Sequence, residues 1–252
     1  MDITQFNPAT HKIEDVQLAD KVYLITGAAG AIGSALALAL GKLGATIILV
    51  DVNQKGLDRV YDLMIEATCP TPANLVLDMA TAGPEQYVEL ADVISSEFGR
   101  LDGIVHCAVE AGTLTPLSQY PLDTWSKAML VNLNAPYMLT RSCIDLLKQA
   151  DDAPVVFSTS DVARQGRAYW GIYSITGHAI EGMAAIWADE LETNTPVRFN
   201  TIDPGPVRSG FRARIYPGEV AKDQPAPETV VPAYLYLLTE PVTGIALQAV
   251  QQ

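Results

Sequence analysis

The sequence predicts a single doubly wound α/β domain, a mostly parallel sheet of about seven strands with helices on both faces. Three observations carry that expectation. The candidate strands are short apolar runs without polar alternation, as expected where both faces of a sheet are covered. They alternate with helical patterns of about 10–20 residues, the spacing of parallel β-α-β units. The first apolar run ends in glycines and opens directly into a helix. A chain of 252 residues, 49% hydrophobic and 18% charged, is ample for one core of this kind.

The elements follow in order. Residues 1–20 are polar and irregular and read as an N-terminal arm, so the domain proper is expected over 21–252. Residues 21–26 read as the first strand. Residues 32–43, rich in Ala and Leu, form a helix that Gly44 stops. Residues 46–51 are the second strand, and 54–67 carry Leu57, Val60, Tyr61, Met64 and Ile65 at helical spacing. A third strand at 74–78 precedes a helix at 84–98, and a fourth strand covers 103–107. Residues 121–150 hold one long helical pattern in which Pro136 demands a kink or an irregular turn, because proline breaks the hydrogen-bond ladder. Strands at 154–158 and 197–202 flank a helix at 171–192. Residues 205–227 mix Gly, Pro and charge without period and read as a mobile substrate lid with short helices. Residues 228–238 look helical, and 244–250 read as a last strand.

Composition excludes several functions. The net charge of −13 opposes nucleic acid or an anionic membrane as main partner. No apolar stretch approaches the ~20 residues of a membrane-spanning helix, and the N-terminus has no signal-peptide pattern, so a cytoplasmic protein is expected. Cys69, Cys107 and Cys143 form no C-x-x-C pair, which suits a reducing compartment. His11, His106 and His178 are scattered, and no metal site is expected.

The turn Thr26-Gly27-Ala28-Ala29-Gly30-Ala31-Ile32-Gly33 carries chemistry. Small residues at a strand-to-helix turn let the backbone approach a pyrophosphate, and the helix offers it unsatisfied N–H groups and a positive dipole end. Asp51 closes the second strand 18 residues after Gly33. A carboxylate there suits the ribose hydroxyls of NAD and repels a 2′-phosphate, so NAD is expected in preference to NADP.

The chain resembles the short-chain dehydrogenase/reductase family, from about Lys21 to Leu247. Its Thr26-Gly27…Gly33 turn is similar to that family's cofactor turn, with Gly30 one residue earlier than the usual glycine. The resemblance implies a Rossmann-type domain. It also implies cofactor contacts from Gly27, Gly30, Ile32, Gly33 and Asp51, from Asp78 and Met79, from Ala108, and from Pro204, Val207 and Ser209 in a nicotinamide-side Pro-Gly motif. By the same resemblance Asn132 organises an active-site water, while Ser160 and Tyr173, 13 residues apart, are the catalytic serine and tyrosine. The run Arg164-Gln165-Gly166-Arg167-Ala168-Tyr169-Trp170-Gly171 resembles a bacterial subgroup described only as oxidoreductases.

Two departures stand out. Val109 sits where the family leaves bare backbone beside the cofactor. The family's Tyr-x-x-x-Lys is here Tyr173-Ser174-Ile175-Thr176-Gly177, without the lysine. A unit charge ~4 Å from a phenol is worth about 4 kcal/mol at an effective dielectric of about 20, enough to lower its pKa by roughly three units. Without it Tyr173 is a poor general base near neutrality. His178, one position beyond the vacancy, is turned away from it. Arg164 and Arg167 are candidates for lending charge. A lysine at position 177 would project from the tyrosine's face of the helix.

Three functions therefore compete: an NAD(P)-dependent oxidoreductase of a carbonyl or alcohol, weakened by Gly177; a non-catalytic dinucleotide-binding protein with a sensor or assembly role; and a structural oligomer. The substrate is unreadable, with Arg208, Arg212, Arg214 and Tyr216 as candidate contacts. A homodimer or homotetramer is expected, because Ile180, Met183, Ala184, Ile186 and Trp187 span a wide apolar arc.

Overall fold

In a computed structural model, which describes residues 1–7 and 16–249, eight strands form one sheet. They are β1 (Asp2–Phe6), β2 (Val22–Thr26), β3 (Thr46–Asp51), β4 (Ala73–Val76), β5 (Gly103–His106), β6 (Ala153–Ser158), β7 (Val197–Asp203) and β8 (Ile245–Ala249). Every pairing is parallel, in the order β1-β8-β7-β6-β5-β2-β3-β4.

The helices are α1 (Ala31–Lys42), α2 (Gln54–Glu66), α3 (Pro84–Phe98), α4 (Leu122–Met129), α5 (Ala135–Leu147), α6 (Gly171–Leu191), α7 (Gly210–Ile215) and α8 (Val231–Thr239). Alternate strand residues serve opposite cores. Tyr23, Ile25, Ile47 and Leu49 pack with α1, α2 and α8, while Val22, Leu24, Ile48 and Val50 pack with α3, α5 and α6. Covering both faces explains why these strands read as unbroken apolar runs.

Two differences from the sequence reading have clear causes. The sheet gains β1 inside the expected N-terminal arm, where Asp2–Phe6 pairs with Ile245–Ala249. An edge strand need bury little, and Ile3 is 61% exposed, so Asp2-Ile3-Thr4-Gln5-Phe6 shows no apolar run. The rest of the arm at 8–15, with His11, and the last residue of the expected C-terminal strand, Val250, lie outside the described residues. The pattern at 121–150 divides into α4, a π-helical turn at Leu130–Asn134, and α5. Pro136 in the first turn of α5 cannot donate to the carbonyl of Asn132, four residues back, and the chain widens there into the π turn.

The strand order reverses between β2 and β5, which lie side by side although three helices and two strands separate them in sequence. Above their carboxyl ends is the crevice where open α/β sheets bind ligands.

Candidate active site

The glycine turn opens this crevice. Gly27 has φ +66, and a β-carbon on it would lie 2.6 Å from the backbone nitrogen of Ala108. The turn after β2 and the segment after β5 thus meet backbone to backbone, with the Ala108 N–H donating to Thr26 Oγ1 at 3.3 Å. A β-carbon on Gly33 would collide with the Gly27 carbonyl, so glycine there lets α1 start directly against the turn. Gly30 is the N-cap of α1. No side chain caps that helix, its first turn holds no acidic residue, and Ile32 within it is half-buried, so the positive end of the dipole is left to an anion.

Asp51 reaches the same turn. Its carboxylate accepts the Ala29 N–H at 3.1 Å and the Asn53 N–H at 2.9 Å. Asp78 and Met79 part company: exposed Asp78 accepts the Ala80 N–H at 2.9 Å, whereas the Met79 side chain is buried in the core. Val109 is 43% exposed, its side chain outside the backbone contact that Ala108 makes with the turn.

The three expected catalytic side chains come from separate elements. Asn132, 7% exposed in the π turn, clamps the segment after β5: its Oδ1 accepts the Glu110 N–H at 2.7 Å and its Nδ2 donates to the Glu110 carbonyl at 2.9 Å. The same Nδ2 donates to Thr176 Oγ1 on α6 at 3.2 Å. Ser160 follows β6 and precedes a 3₁₀ turn at Asp161–Ala163. Tyr173 lies in the first turn of α6. Burial pushes its phenol up to about 12; the Ser160 hydroxyl beside it pulls the other way, and the carboxylates of Asp203 and Asp161 add to the rise.

The basic side chains of the neighbouring segments are engaged with other partners. Arg164 donates to Glu181 Oε1 at 3.1 Å, and the Thr159 hydroxyl donates to the same oxygen at 2.8 Å. Arg167 pairs with Asp161 at 2.7 Å, Lys127 with Glu110 at 3.0 Å, and exposed His178 turns its Nδ1 to the Ser174 carbonyl at 2.8 Å. Position 177 is itself closed to side chains. A β-carbon on Gly177 would sit 2.7 Å from the Ala163 methyl. The expectation that a lysine would simply project from this face of α6 is corrected by that contact.

The segment after β7 folds over Tyr173. Pro204 and Val207 are buried, and Ser209 caps α7 by accepting the Arg212 N–H at 3.0 Å. Phe211 on α7 lies 5.4 Å from the Tyr173 ring between centroids, and Trp170 lies 5.5 Å from it. Two arginines expected as substrate contacts have carboxylate partners: Arg212 makes two bonds to Glu219 at 2.6 and 2.7 Å, and Arg214 reaches Glu110 at 3.4 Å.

Comparison with known proteins assigns the family. The sequence profile described as short chain dehydrogenase matches residues 21–219. The chain belongs to the short chain dehydrogenase family. It is 37% identical over 221 residues to an uncharacterized oxidoreductase of Escherichia coli, YciK, covering 88% of this chain and 87% of that one. A short chain dehydrogenase structure from Pseudomonas syringae superposes with a TM-score of 0.93 at 41% identity, over 97% of this chain and 99% of that one. Another from Escherichia coli, complexed with NADPH, gives 0.88 at 35% identity, over 94% and 98%. Short chain dehydrogenases bind nicotinamide dinucleotides, and the glycine turn, the α1 N-terminus and Asp51 suit such a ligand.

Four participants escaped the sequence reading: Glu110, Thr176, Ala163 and Asp203. Thr176 and Ala163 each lie three residues from an identified residue, but neither type announces a role. Asp203, directly before the Pro204-Gly205 turn, was the most legible of them.

Proposed function

We propose that the protein is an NAD(H)-dependent oxidoreductase acting on a carbonyl or alcohol, in which Tyr173 serves as proton donor more readily than as base. The observation that carries this reading is the convergence of Ser160 and Tyr173 beside the crevice, with Asn132 bracing the segment that borders it. A bound nicotinamide supplies or accepts the hydride. Ser160 orients the substrate oxygen, Tyr173 moves the proton at that oxygen, and Asn132 holds the segment after β5 against α6. A phenol at about 12 is protonated at neutral pH and suits reduction of a carbonyl.

Asp51 supports preference for NAD(H), because its carboxylate, fixed by two backbone N–H groups, repels a 2′-phosphate. The relative complexed with NADPH belongs to the same family, so the preference is a property to be read in this chain. A second reading, a dinucleotide-binding protein without turnover, is favoured by one observation: Tyr173 has carboxylates nearby and no cation on its face of α6. Steady-state reduction of a carbonyl panel with NADH at pH 7 separates the two. The oxidoreductase reading predicts slow turnover that Tyr173→Phe abolishes and Ser160→Ala lowers. Equal rates in all three chains, or none, support the second reading.

A further inference from the structure

Two small residues, one of them the glycine that stands at the missing lysine, meet beneath the Ser160–Tyr173 pair. Gly177 follows Tyr173 by one helical turn on α6, and Ala163 closes the 3₁₀ turn that begins after Ser160. The turn is tied to α6 by one hydrogen bond beside this contact and closed by one of its own. The Ser174 hydroxyl donates to the Val162 carbonyl at 2.6 Å, and the Ala163 N–H donates to the Ser160 carbonyl at 2.9 Å. A β-carbon built on Gly177 falls 2.7 Å from the Ala163 β-carbon and 3.1 Å from its Cα. Carbon atoms rest at about 3.5–4.0 Å, so 2.7 Å is a collision, and the obstacle is a methyl fixed to backbone with no rotamer to escape into. Ala163 is 2% exposed and has no open space to retreat to. If the turn withdrew, the Ser174–Val162 bond would lengthen and Ser160 would move with it.

We infer that Ala163 and Gly177 are a coupled pair: the Ala163 methyl stands in the place of a side-chain stem at 177, and it bars any cation from reaching Tyr173 along this face of α6. The inference deepens the function proposed above and rests on it for its catalytic meaning. Glycine at 177 is what lets the turn close on α6 and bring Ser160 to Tyr173. A cation can be built there only when residue 163 loses its methyl. The remaining 3.1 Å contact to Cα then needs a shift of a few tenths of an ångström. Ala163 is thus a positioning residue that fixes the protonation of Tyr173 by exclusion.

Two measurements test the pair. The first is a thermal-denaturation cycle on the full chain with Gly177→Ala, Ala163→Gly and the double variant. Gly177→Ala should lower Tm by roughly 5 °C despite its gain in helix propensity, and adding Ala163→Gly should recover most of that loss. Additive effects would overturn the coupling. The second compares NADH affinity and the pH profile of alcohol oxidation for Gly177→Lys and for Ala163→Gly/Gly177→Lys. The double variant should bind NADH about tenfold more tightly than wild type and move the alkaline limb toward neutrality, and Gly177→Lys alone should do neither. Equal gains from Gly177→Lys alone overturn the inference, and so does a folded double variant with wild-type affinity and profile. If wild type binds no dinucleotide, the proposed function fails, and the melting cycle still decides the pair.

Discussion

Burial and the carboxylates of Asp203 and Asp161 hold the Tyr173 phenol protonated across the neutral range, against the opposing pull of Ser160. The sign of the consequence differs by direction. Reduction needs the phenol and should be flat from pH 6 to 9 as far as Tyr173 is concerned. Oxidation needs the phenolate and should climb close to tenfold per pH unit over the same range, still rising toward about 12. Asp203→Asn removes one of the charges that disfavour the phenolate, so the alkaline limb of oxidation should shift to lower pH. An unchanged limb in that variant would show that burial acts on Tyr173 without Asp203.

At the scale of elements, the π turn between α4 and α5 joins the segment after β5 to α6 through Asn132. Asn132→Ala would leave the Glu110 N–H and carbonyl without that partner in a half-buried site. It should cost about 1–3 kcal/mol in denaturant unfolding, with an unchanged m-value. Losses below about 0.5 kcal/mol would mean that water replaces the side chain there. The sequence showed the irregularity through Pro136 and marked Asn132 by resemblance, but not its two partners. Asn132 binds the backbone of Glu110, and backbone partners leave no trace in residue identity. Strands packed on both faces, such as β2 and β3, were legible because their apolar runs state their burial. The edge strand β1 was not, since it pairs through backbone and buries little. Asp51 and the glycine turn were legible because strand, turn, helix and acidic strand end stand in fixed order. The closed position at 177 was not, because Ala163 approaches it only in three dimensions.

Over the whole molecule, the arc of α6 expected to be apolar and exposed is partly spent on the chain's own core: Ile180 and Ala184 are buried. What remains outside is narrower. Ile186 is 59% exposed, and Tyr137 of α5, 45% exposed, stacks on Trp187 with centroids 5.7 Å apart. We propose that this α5–α6 face joins copies of the chain into a homodimer or homotetramer, and light scattering at micromolar concentration should give two or four times the chain mass. A monomer there would contradict it. Tyr137→Glu should shift the particle toward the monomer.

We propose that the turn after β2, the N-terminus of α1 and Asp51 form a working dinucleotide site whose carboxylate selects NAD(H). Calorimetric titration of the wild-type chain with NADH and with NADPH tests it most directly, with Asp51→Ala as the companion chain. Both cofactors should bind, NADH more tightly, and Asp51→Ala should narrow the gap. Tighter binding of NADPH by the wild type, or no binding of either, would contradict it.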